Sequence, residues 1–148
     1  MRKVRWGVMS TANIGVEKVL PAMLQGEYNQ MVGIASRDLA KARAVAGELG
    51  FPQAYGSYEE VLADPEVDAV LNPLPNSLHC EWTIRAAEAG KHVLCEKPLG
   101  RTAEESKMML DAVEKAGVKH MVAFNYRFVP AIRLARNIIE SGALGQIY

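Results

Sequence analysis

Short apolar runs rich in β-branched residues alternate along this chain with longer stretches of helical periodicity, which constrains the fold more than any other feature. This alternation predicts right-handed crossovers between the strands of a parallel sheet that helices cover on both faces. We therefore predict a doubly wound α/β domain. The predicted strands are residues 4–9, 31–35, 54–55, 67–71, 92–95 and 118–124. The predicted helices are residues 16–24, 39–49, a short one between Ser57 and Pro65, 78–89, 103–116 and 130–140.

Several of these predicted helices carry capping signals at their ends. Asp38 precedes the helix over residues 39–49 and Gly50 follows it, as a polar start signal and a glycine stop signal. Two S/T-x-x-E capping boxes open further helices, and their members are Ser57 with Glu60 and Thr102 with Glu105.

Composition excludes several classes of protein. The chain has 49% hydrophobic residues and equal numbers of basic and acidic residues, 17 of each, which is typical of a globular protein and not of a disordered one. No basic excess indicates binding to nucleic acid or to a membrane surface. Cys80 and Cys95 form neither a disulfide framework nor a C-x-x-C pair. The N-terminal apolar run is too short for a signal peptide, so we expect a reduced, soluble, cytoplasmic protein without a metal site.

The turn after the first predicted strand is a candidate phosphate-binding site. It contains Ser10, Thr11, Ala12, Asn13, Ile14 and Gly15. Compared with the dinucleotide fingerprint G-x-G-x-x-G, Ser10 and Ala12 replace the first two glycines and Gly15 is the third. Small residues there let backbone amides and a helix N-terminus approach a diphosphate. The alternative is an ordinary polar turn between a strand and a helix.

The second predicted strand ends at Ser36, about 20 residues beyond the candidate turn, where the fingerprint places an acid that binds the ribose. Here Ser36 and Arg37 occupy that place, and Lys41 follows one helical turn later. A hydroxyl, a guanidinium and an ammonium suit a 2′-phosphate better than a free 2′-hydroxyl, so we predict NADP in preference to NAD. The alternative is that Arg37 and Lys41 are solvated and Asp38 is only a helix cap.

The segment after the fourth predicted strand contains two prolines, Pro73 and Pro75, which force an extended path. Such a segment makes a stiff wall for a flat ligand. Asn76 or Ser77 is a candidate cap for the next helix. His79 in its first turn, taken alone, is best interpreted as a histidine on the helix surface.

Glu96 and Lys97 directly follow the fifth predicted strand, at the end of the sheet where ligands bind in doubly wound folds. Lys97 is expected to project into that crevice, where partial desolvation or a cationic ring would lower its proton affinity. Pro98 then removes a backbone donor. The alternative is a Glu–Lys pair on the surface.

Together these segments resemble the Gfo/Idh/MocA oxidoreductase family over essentially the whole chain. The most specific parts are residues 6–14, 73–79, 96–98 and 126–128. The Ser10-Thr11-Ala12 variant is similar to the branch that contains glucose–fructose oxidoreductase and NADP-dependent xylose and dihydrodiol dehydrogenases. Asn72 departs from this pattern, because an apolar residue is expected before Pro73.

The resemblance implies an NAD(P)-binding Rossmann domain and roles for individual residues. Lys97 is the implied catalytic residue, which hydrogen-bonds the reacting hydroxyl, and the Lys97–Pro98 peptide bond is implied to be cis. Tyr126 and Arg127 are implied to lie near the nicotinamide and the substrate. The full set of predicted cofactor-binding residues is Ser10, Thr11, Ala12, Asn13, Ile14, Ser36, Arg37, Lys41, Leu74, Pro75, Asn76, His79, Glu96, Lys97, Asn125 and Arg127.

The same resemblance implies a chain of two parts. Residues 1–124 are the predicted dinucleotide-binding domain, and residues 125–148 are a connecting segment, a helix and the first strand of a C-terminal open-sheet domain. That second domain supplies the other acid/base group in the family. The alternative for the last residues is a frayed terminus.

The implied reaction is hydride transfer between the nicotinamide and a sugar, polyol or diol hydroxyl, so the expected partner is a small molecule. We expect no nucleic acid or membrane partner, and a homo-oligomer for the full-length protein. These 148 residues alone are expected to turn over poorly. Two alternatives remain open, which are a non-catalytic dinucleotide-binding or sensing module and a plain structural or interaction domain.

Overall fold

The computed structural model describes residues 2–147 and contains a parallel sheet with helices on both of its faces. The strands are β1 (Val4–Met9), β2 (Asn29–Ala35), β3 (Gln53–Tyr55), β4 (Ala69–Asn72), β5 (His92–Cys95) and β6 (His120–Val122). The helices are α1 (Leu20–Leu24), α2 (Leu39–Leu49), α3 (Tyr58–Ala63), α4 (Asn76–Glu88), α5 (Ala103–Ala116) and α6 (Pro130–Glu140). A π-helical turn (Gly15–Val19) leads into α1, and a 3₁₀ turn (Asn125–Phe128) precedes α6.

The strand order is β3-β2-β1-β4-β5-β6, and every pairing is parallel. From the centre of the sheet, the strands therefore follow one another from β1 to β3 toward one edge and from β4 to β6 toward the other edge. The order reverses between β1 and β4, and ligands bind beyond the carboxyl ends of the strands at such a reversal. The predicted doubly wound fold is confirmed.

Two separate apolar cores fix the helices to the sheet. On one face, Val61 of α3 and Trp82 of α4 pack with Val70 and Val93 of the strands. On the other face, Leu20 of α1 packs in a core that also contains residues of α2, β1 and β2. Most residues of both cores are less than a tenth exposed, so the sheet is rigid where the ligand end begins.

The helices cover both faces of the sheet, but β6 at its edge is less covered than the other strands. Leu94 of β5 pairs in register with Met121 of β6, and the Met121 side chain is 50% exposed. The physical reason is that α5, which connects these strands, packs beside α4, while α1 and α2 lie over the other half of the sheet. Leu94 still packs against the core that contains Leu20 of α1, so the exposed part of this strip is Met121.

Some predicted strand bounds are also wrong, because turns compete for the terminal residues. The strand predicted over 67–71 begins only at Ala69, since the amide of Val67 donates to the Asp64 carbonyl in a turn. The strand predicted over 118–124 shrinks to β6, because the amide of Val118 donates to Val113 at the end of α5. An apolar run therefore predicts a strand that is too long where the residues at its ends form turns.

The helix predicted over residues 16–24 exists, but its first part is the π-helical turn. Pro21 explains the difference, because proline has no amide hydrogen and its ring clashes with the carbonyl four residues earlier. The amide of Leu20 instead donates to the carbonyl of Gly15, five residues back. Single π turns of this kind recur at functional sites.

The predicted caps are confirmed in their main contacts. The Asp38 carboxylate accepts from the amides of Ala40 and Lys41, and Gly50 ends α2 with φ of 74°. Ser57 and Thr102 accept from the amides of Glu60 and Glu105. The two glutamates reach one residue further back than a capping box requires, to the amides of Gly56 and Arg101.

The segment after β6 packs little against the rest. Every residue of α6 is exposed, including the apolar Ile132, Leu134 and Ile138. Gln146 and Ile147 form no strand within the described residues, and Tyr148 lies outside them, so the first strand of a further domain stays a prediction. A strand needs a hydrogen-bonded neighbour, and none of the described strands lies beside this segment. The division at residue 124 stays a prediction.

Candidate functional site

A cleft of about 780 Å³ opens at the carboxyl ends of β1, β4 and β5. Its position is the one that the strand order predicts, next to the reversal between β1 and β4. Seven of the residues predicted from the sequence line it, namely Ile14, Leu74, Asn76, His79, Glu96, Lys97 and Asn125. The fold therefore brings together four loops that are far apart in the sequence.

Ser10 at the end of β1 adopts a backbone conformation that favours glycine. Its φ is 155°, and among residues 2–147 it is the only non-glycine residue with positive φ. The Ser10 hydroxyl accepts a hydrogen bond of 2.9 Å from the amide of Ala12. Ser10 thus keeps a backbone conformation that glycine adopts more readily, and its side chain satisfies an amide of the turn.

The rest of this turn leads into the helix that would face a diphosphate. Thr11 is buried, whereas Asn13 and Ile14 are exposed at the start of the helical segment. Amides in the first turn of a helix have no intrahelical acceptor, so they can donate to an anion. A Cβ on Gly15 would lie 3.5 Å from the Pro73 ring, an ordinary contact, so this position does not demand glycine on steric grounds.

Two interpretations of the end of β2 come from the sequence, which are a 2′-phosphate site and solvated cations beside a helix cap. The structure agrees with part of each at Ser36, Arg37 and Lys41. The Ser36 hydroxyl is buried and accepts from the amide of Asp38, and Asp38 is indeed the cap of α2. Arg37 and Lys41 are exposed, and neither side chain forms an ion pair within residues 2–147. Both cations are therefore accessible to an anionic group beside β2.

Asn72, which departs from the family pattern, is completely buried at the end of β4. Its Oδ1 accepts from the amide of Leu74 at 3.3 Å, and its Nδ2 donates to Thr83 Oγ1 of α4 at 3.3 Å. A buried amide side chain is stable when its polar atoms are paired in this way. Asn72 therefore ties the wall formed by Pro73 and Leu74 to α4.

The helix after this wall begins earlier than predicted, at Asn76 instead of residue 78. Neither Asn76 nor Ser77 is its cap, because Pro75 holds that position without a side-chain hydrogen bond. Asn76 Oδ1 is instead buried at the cleft and accepts no hydrogen bond within residues 2–147. An unpaired buried acceptor is costly, so this atom fits a ligand donor.

The interpretation of His79 as a surface histidine is wrong, because its side chain is only 1% exposed. Its two ring nitrogens lie 2.8 Å from the carbonyl oxygens of Leu74 and Pro98. The reason for the burial is that α4 starts at Asn76, which turns His79 inward toward the Pro98 loop. The ring lines the cleft, but both nitrogens face backbone carbonyls.

Glu96 and Lys97 lie at the edge of the cleft after β5. The amide of Glu96 donates to the Asn72 carbonyl at 3.0 Å, which anchors the loop to β4. The Lys97 amide donates to the Glu96 carboxylate. The described residues contain no ion pair between the two side chains, so the structure does not show the alternative of a Glu–Lys pair on the surface. The Lys97–Pro98 peptide bond is cis, as the resemblance implies.

Cys95, directly before this loop, is completely buried at the end of β5. Desolvation raises the pKa of its thiol to about 12, and the hydrogen bond with Thr83 only partly offsets that effect. A thiol in this state is not a nucleophile, since the thiolate is the reactive form. Cys95 is therefore not a candidate nucleophile at this end of the sheet.

Two of the remaining predicted residues lie in the 3₁₀ turn, and they face different parts of the surface. Asn125 lines the cleft, whereas Arg127 lies in a separate groove with Arg133 and Arg136 of α6. Tyr126 is 62% exposed. Pro75 is exposed at the start of α4 and does not line the cleft. The structure thus does not bring Arg127 together with Lys97, and its contact with a cofactor stays a prediction.

Sequence reasoning missed part of the cleft. Lys18 of the π turn and Phe124 after β6 line it, and an apolar extension runs down the open sheet face along Val19, Leu94 and Met121. Phe124 follows a strand, so it could have been found by the rule used for the other loops. The extension could not, because only the packing shows which sheet face is uncovered.

A metal site and a membrane-spanning helix are both absent from the part of the chain that the structure describes. Its His, Cys, Asp and Glu side chains form no group of three or more that could hold a metal ion. Its helices are all too short or too polar to cross a membrane.

Comparison with known proteins gives a consistent result. A family model described as "Oxidoreductase family, NAD-binding Rossmann fold" matches residues 4–124. A D-xylose 1-dehydrogenase (NADP(+)) from Haloferax volcanii is 52% identical over 136 residues, which are 92% of this chain and 42% of that protein. An uncharacterized oxidoreductase from Rhizobium meliloti is 50% identical over 99% of this chain and 44% of that protein.

Among solved structures, a 3-ketoreductase from Actinomadura kijaniata in complex with NADP superposes with a TM-score of 0.90 at 33% identity. The match covers 99% of this chain and 46% of that one. The chain thus spans less than half the length of the relatives it matches.

Proposed function

This chain belongs to the Gfo/Idh/MocA oxidoreductase family, and we propose that it is the dinucleotide-binding part of an NADP-dependent dehydrogenase or reductase. The substrate class is a sugar, polyol or diol, and the reacting group is a CH–OH carbon or the corresponding ketone. The observation that carries the proposal is the position of Lys97 on the same cleft as Ile14 of the fingerprint turn.

The residues of the cleft fit a dinucleotide. The amides of Asn13 and Ile14 at the start of the helix suit the pyrophosphate. The buried, unpaired Asn76 Oδ1 suits a hydroxyl or amide donor of the nicotinamide half. Leu74 and Phe124 supply apolar surface for a flat ring. The volume of about 780 Å³ lies within the range of small-molecule sites.

The end of β2 favours NADP over NAD. Arg37 and Lys41 are exposed cations at the strand end where the ribose of a dinucleotide lies, and no carboxylate takes the usual acidic position. Guanidinium groups bind phosphate through paired N–H donors. The xylose dehydrogenase relative is named as NADP-dependent, and the related 3-ketoreductase structure holds NADP, which supports the same choice.

The nicotinamide, when bound, accepts or donates the hydride. The role of this chain is to hold the ring beside the Lys97 ammonium, which donates a hydrogen bond to the reacting hydroxyl or carbonyl oxygen and exchanges a proton with it. The Leu74 wall excludes water from one side of the ring. The open apolar face of β6 and the exposed α6 support the proposal that this chain alone binds the cofactor without efficient turnover.

Calorimetric titration of this chain with NADP and NAD tests the proposal. Calorimetry is preferable to tryptophan fluorescence, because the Trp6 indole bonds Asn29, away from the fingerprint turn. We expect NADP to bind more tightly, and Arg37→Ala to weaken NADP by tenfold or more while leaving NAD nearly unchanged. Arg43→Ala on the exposed surface of α2 is the matched control. Tighter binding of NAD would refute the cofactor assignment, and binding of neither would refute the function.

A further inference from the structure

Asn72 is a fully buried polar residue at the carboxyl end of β4, directly before the wall formed by Pro73 and Leu74. Its Oδ1 accepts a hydrogen bond of 3.3 Å from the Leu74 amide. Its Nδ2 donates to Thr83 Oγ1 at 3.3 Å and to the His79 carbonyl at 3.5 Å, and both acceptors belong to one turn of α4. The Asn72 side chain therefore joins the wall to the helix behind it.

The wall depends on this side chain because of its proline. Strand β4 ends at Asn72 and Pro73 has no amide hydrogen, so Leu74 carries the first amide after the strand. Leu74 is only 5% exposed, and a buried amide without an acceptor is costly. An asparagine oxygen can accept from the amide two residues later, which forms an Asx turn. The apolar residue that the family pattern places before Pro73 has no atom that accepts this hydrogen bond.

The backbone of Asn72 also holds the loop that carries Lys97. Asn72 pairs in register with Cys95 of β5, and its carbonyl accepts from the Glu96 amide at 3.0 Å. Lys97 is the next residue, and it lines the same cleft as Leu74. Asn72 is therefore the residue at which the cofactor wall and the Lys97 loop are joined.

The orientation of the Asn72 amide group is fixed by its partners. The Leu74 amide can only donate, so it requires the side-chain oxygen, and the His79 carbonyl can only accept, so it requires the nitrogen. Rotation of the group by half a turn would break both hydrogen bonds at once. Asn72 and Thr83 are both 0% exposed, so bulk water does not replace a broken bond.

We propose that Asn72 is a positioning residue, which holds the Leu74 wall at a fixed distance from Lys97 so that the cofactor ring meets the reacting group in one orientation. Asn72 is not among the residues that line the cleft, so it acts through Leu74. The statement about the ring rests on the proposed function, whereas the hydrogen bonds of Asn72 do not.

Three variants separate the contacts of the side chain. Asn72→Leu keeps the branching at Cγ and loses every side-chain hydrogen bond. Asn72→Ser keeps an oxygen that accepts from the Leu74 amide but does not reach α4. Thr83→Val keeps the shape of Thr83 and removes only its acceptor. Val113→Ala is the control for a loss of stability alone, because Val113 is buried in α5 and does not line the cleft.

In the complete enzyme, Asn72→Leu should lower kcat about tenfold, because hydride transfer is sensitive to small displacements of the ring. The Kd for NADP should change by less than about threefold, since the contacts to its phosphates remain. Asn72→Ser and Thr83→Val should keep kcat within about threefold of the wild type, because the Leu74 amide keeps its acceptor. Val113→Ala should lower only the thermal midpoint.

Three kinetic results would overturn the positioning role of Asn72. The first is an equal loss of kcat and of NADP affinity in Asn72→Leu. The second is a loss of stability alone, as in the control. The third is a kcat of Asn72→Ser that is as low as that of Asn72→Leu.

Hydrogen exchange of the Leu74 amide, followed by NMR in this chain of 148 residues, tests the hydrogen bond itself. We expect exchange to be about tenfold faster in Asn72→Leu than in the wild type and to stay slow in Asn72→Ser and Thr83→Val. Unchanged protection in Asn72→Leu would overturn the inference. The measurement needs no cofactor, so failure of the proposed function and failure of this inference can be told apart.

Discussion

The Ser10 hydroxyl accepts a 2.9 Å hydrogen bond from the amide of Ala12, across a turn in which Ser10 keeps a φ of 155°. The conformation is one that glycine adopts without strain, and other residues adopt it at a cost of about 1–3 kcal/mol. The hydrogen bond compensates part of that cost. It also occupies one of the amides that a glycine-rich turn would leave open for a phosphate.

Substitution of Ser10 separates the conformation from the hydrogen bond. Ser10→Ala keeps the strain and loses the bond, so we expect the free energy of unfolding to fall by about 1 kcal/mol. Ser10→Gly loses the bond but relieves the strain, so the change should be smaller. Urea unfolding measures both. If Ser10→Gly is the more destabilised variant, the strain is not significant.

The proposed function assigns the proton transfer to Lys97. In the complete enzyme, Lys97→Ala should lower kcat by about 10²–10⁴-fold, which is the usual contribution of a positioned proton donor. Lys97→Arg should remain strongly impaired, because a guanidinium keeps the charge but does not give up a proton. Steady-state kinetics with Lys115→Ala on exposed α5 as the control checks this. Near-normal turnover of Lys97→Ala would exclude it from the reaction.

The ion pair of Asp68 with Arg5 makes stability depend on pH. The hydrogen bond with the Arg5 guanidinium lowers the pKa of Asp68 from 3.8 to about 2, so the unfolded state binds its proton at higher pH than the folded state. The stabilisation is therefore complete above about pH 4 and is lost as the pH falls toward 2.

Asp68→Asn removes this effect. Because the pair is partly exposed and screened, we expect it to lower the free energy of unfolding at pH 7 by only about 1 kcal/mol, with the difference closing as the pH falls from about 4 to about 2. Asp111→Asn, in an exposed pair with Lys107, is the control and should change little. A constant difference across that range would contradict the assignment. Urea unfolding at several pH values gives the curves.

Two glycines should respond to alanine in opposite directions. A Cβ on Gly33 in β2 would lie 2.9 Å from the Gln53 carbonyl oxygen, a contact that backbone atoms of β3 cannot relieve cheaply. Gly33→Ala should therefore lower the free energy of unfolding by about 1–3 kcal/mol. Gly47 lies exposed in α2 with no atom within 4 Å of such a Cβ, so Gly47→Ala should raise it by about 0.5–1 kcal/mol. Thermal unfolding of both variants measures these shifts.

The sequence predicted the fold well because the signals for it are local. The helix over Leu39–Leu49 has the predicted bounds, since Asp38 and Gly50 are adjacent to the residues whose backbone groups they satisfy. The strand over His92–Cys95 is likewise as predicted. Parallel order and the position of the cleft follow from alternation and crossover handedness, which need no knowledge of side-chain contacts.

The sequence could not predict the partners of individual side chains in the cleft. The sequence favours a surface position for His79 and a capping role for Asn76 or Ser77, whereas the structure buries the His79 ring and Asn76 Oδ1 at the cleft. Their environment depends on Pro98 and Leu74, which come from other loops. Helix periodicity shows which face a residue occupies, but not what that face meets.

By itself, then, the sequence determined a doubly wound parallel sheet, the capped ends of α2 and the loops that carry Ser10, Arg37 and Lys97. Only the tertiary structure decided that one buried ring spans the Leu74 and Pro98 loops, that Arg127 lies in a separate groove, and that β6 is uncovered on one face. The physical reason is the distance along the sequence over which each interaction acts. Backbone conformation and capping are set by neighbours a few residues away, whereas burial and hydrogen-bond pairing are set by whichever distant segments the packing brings into contact.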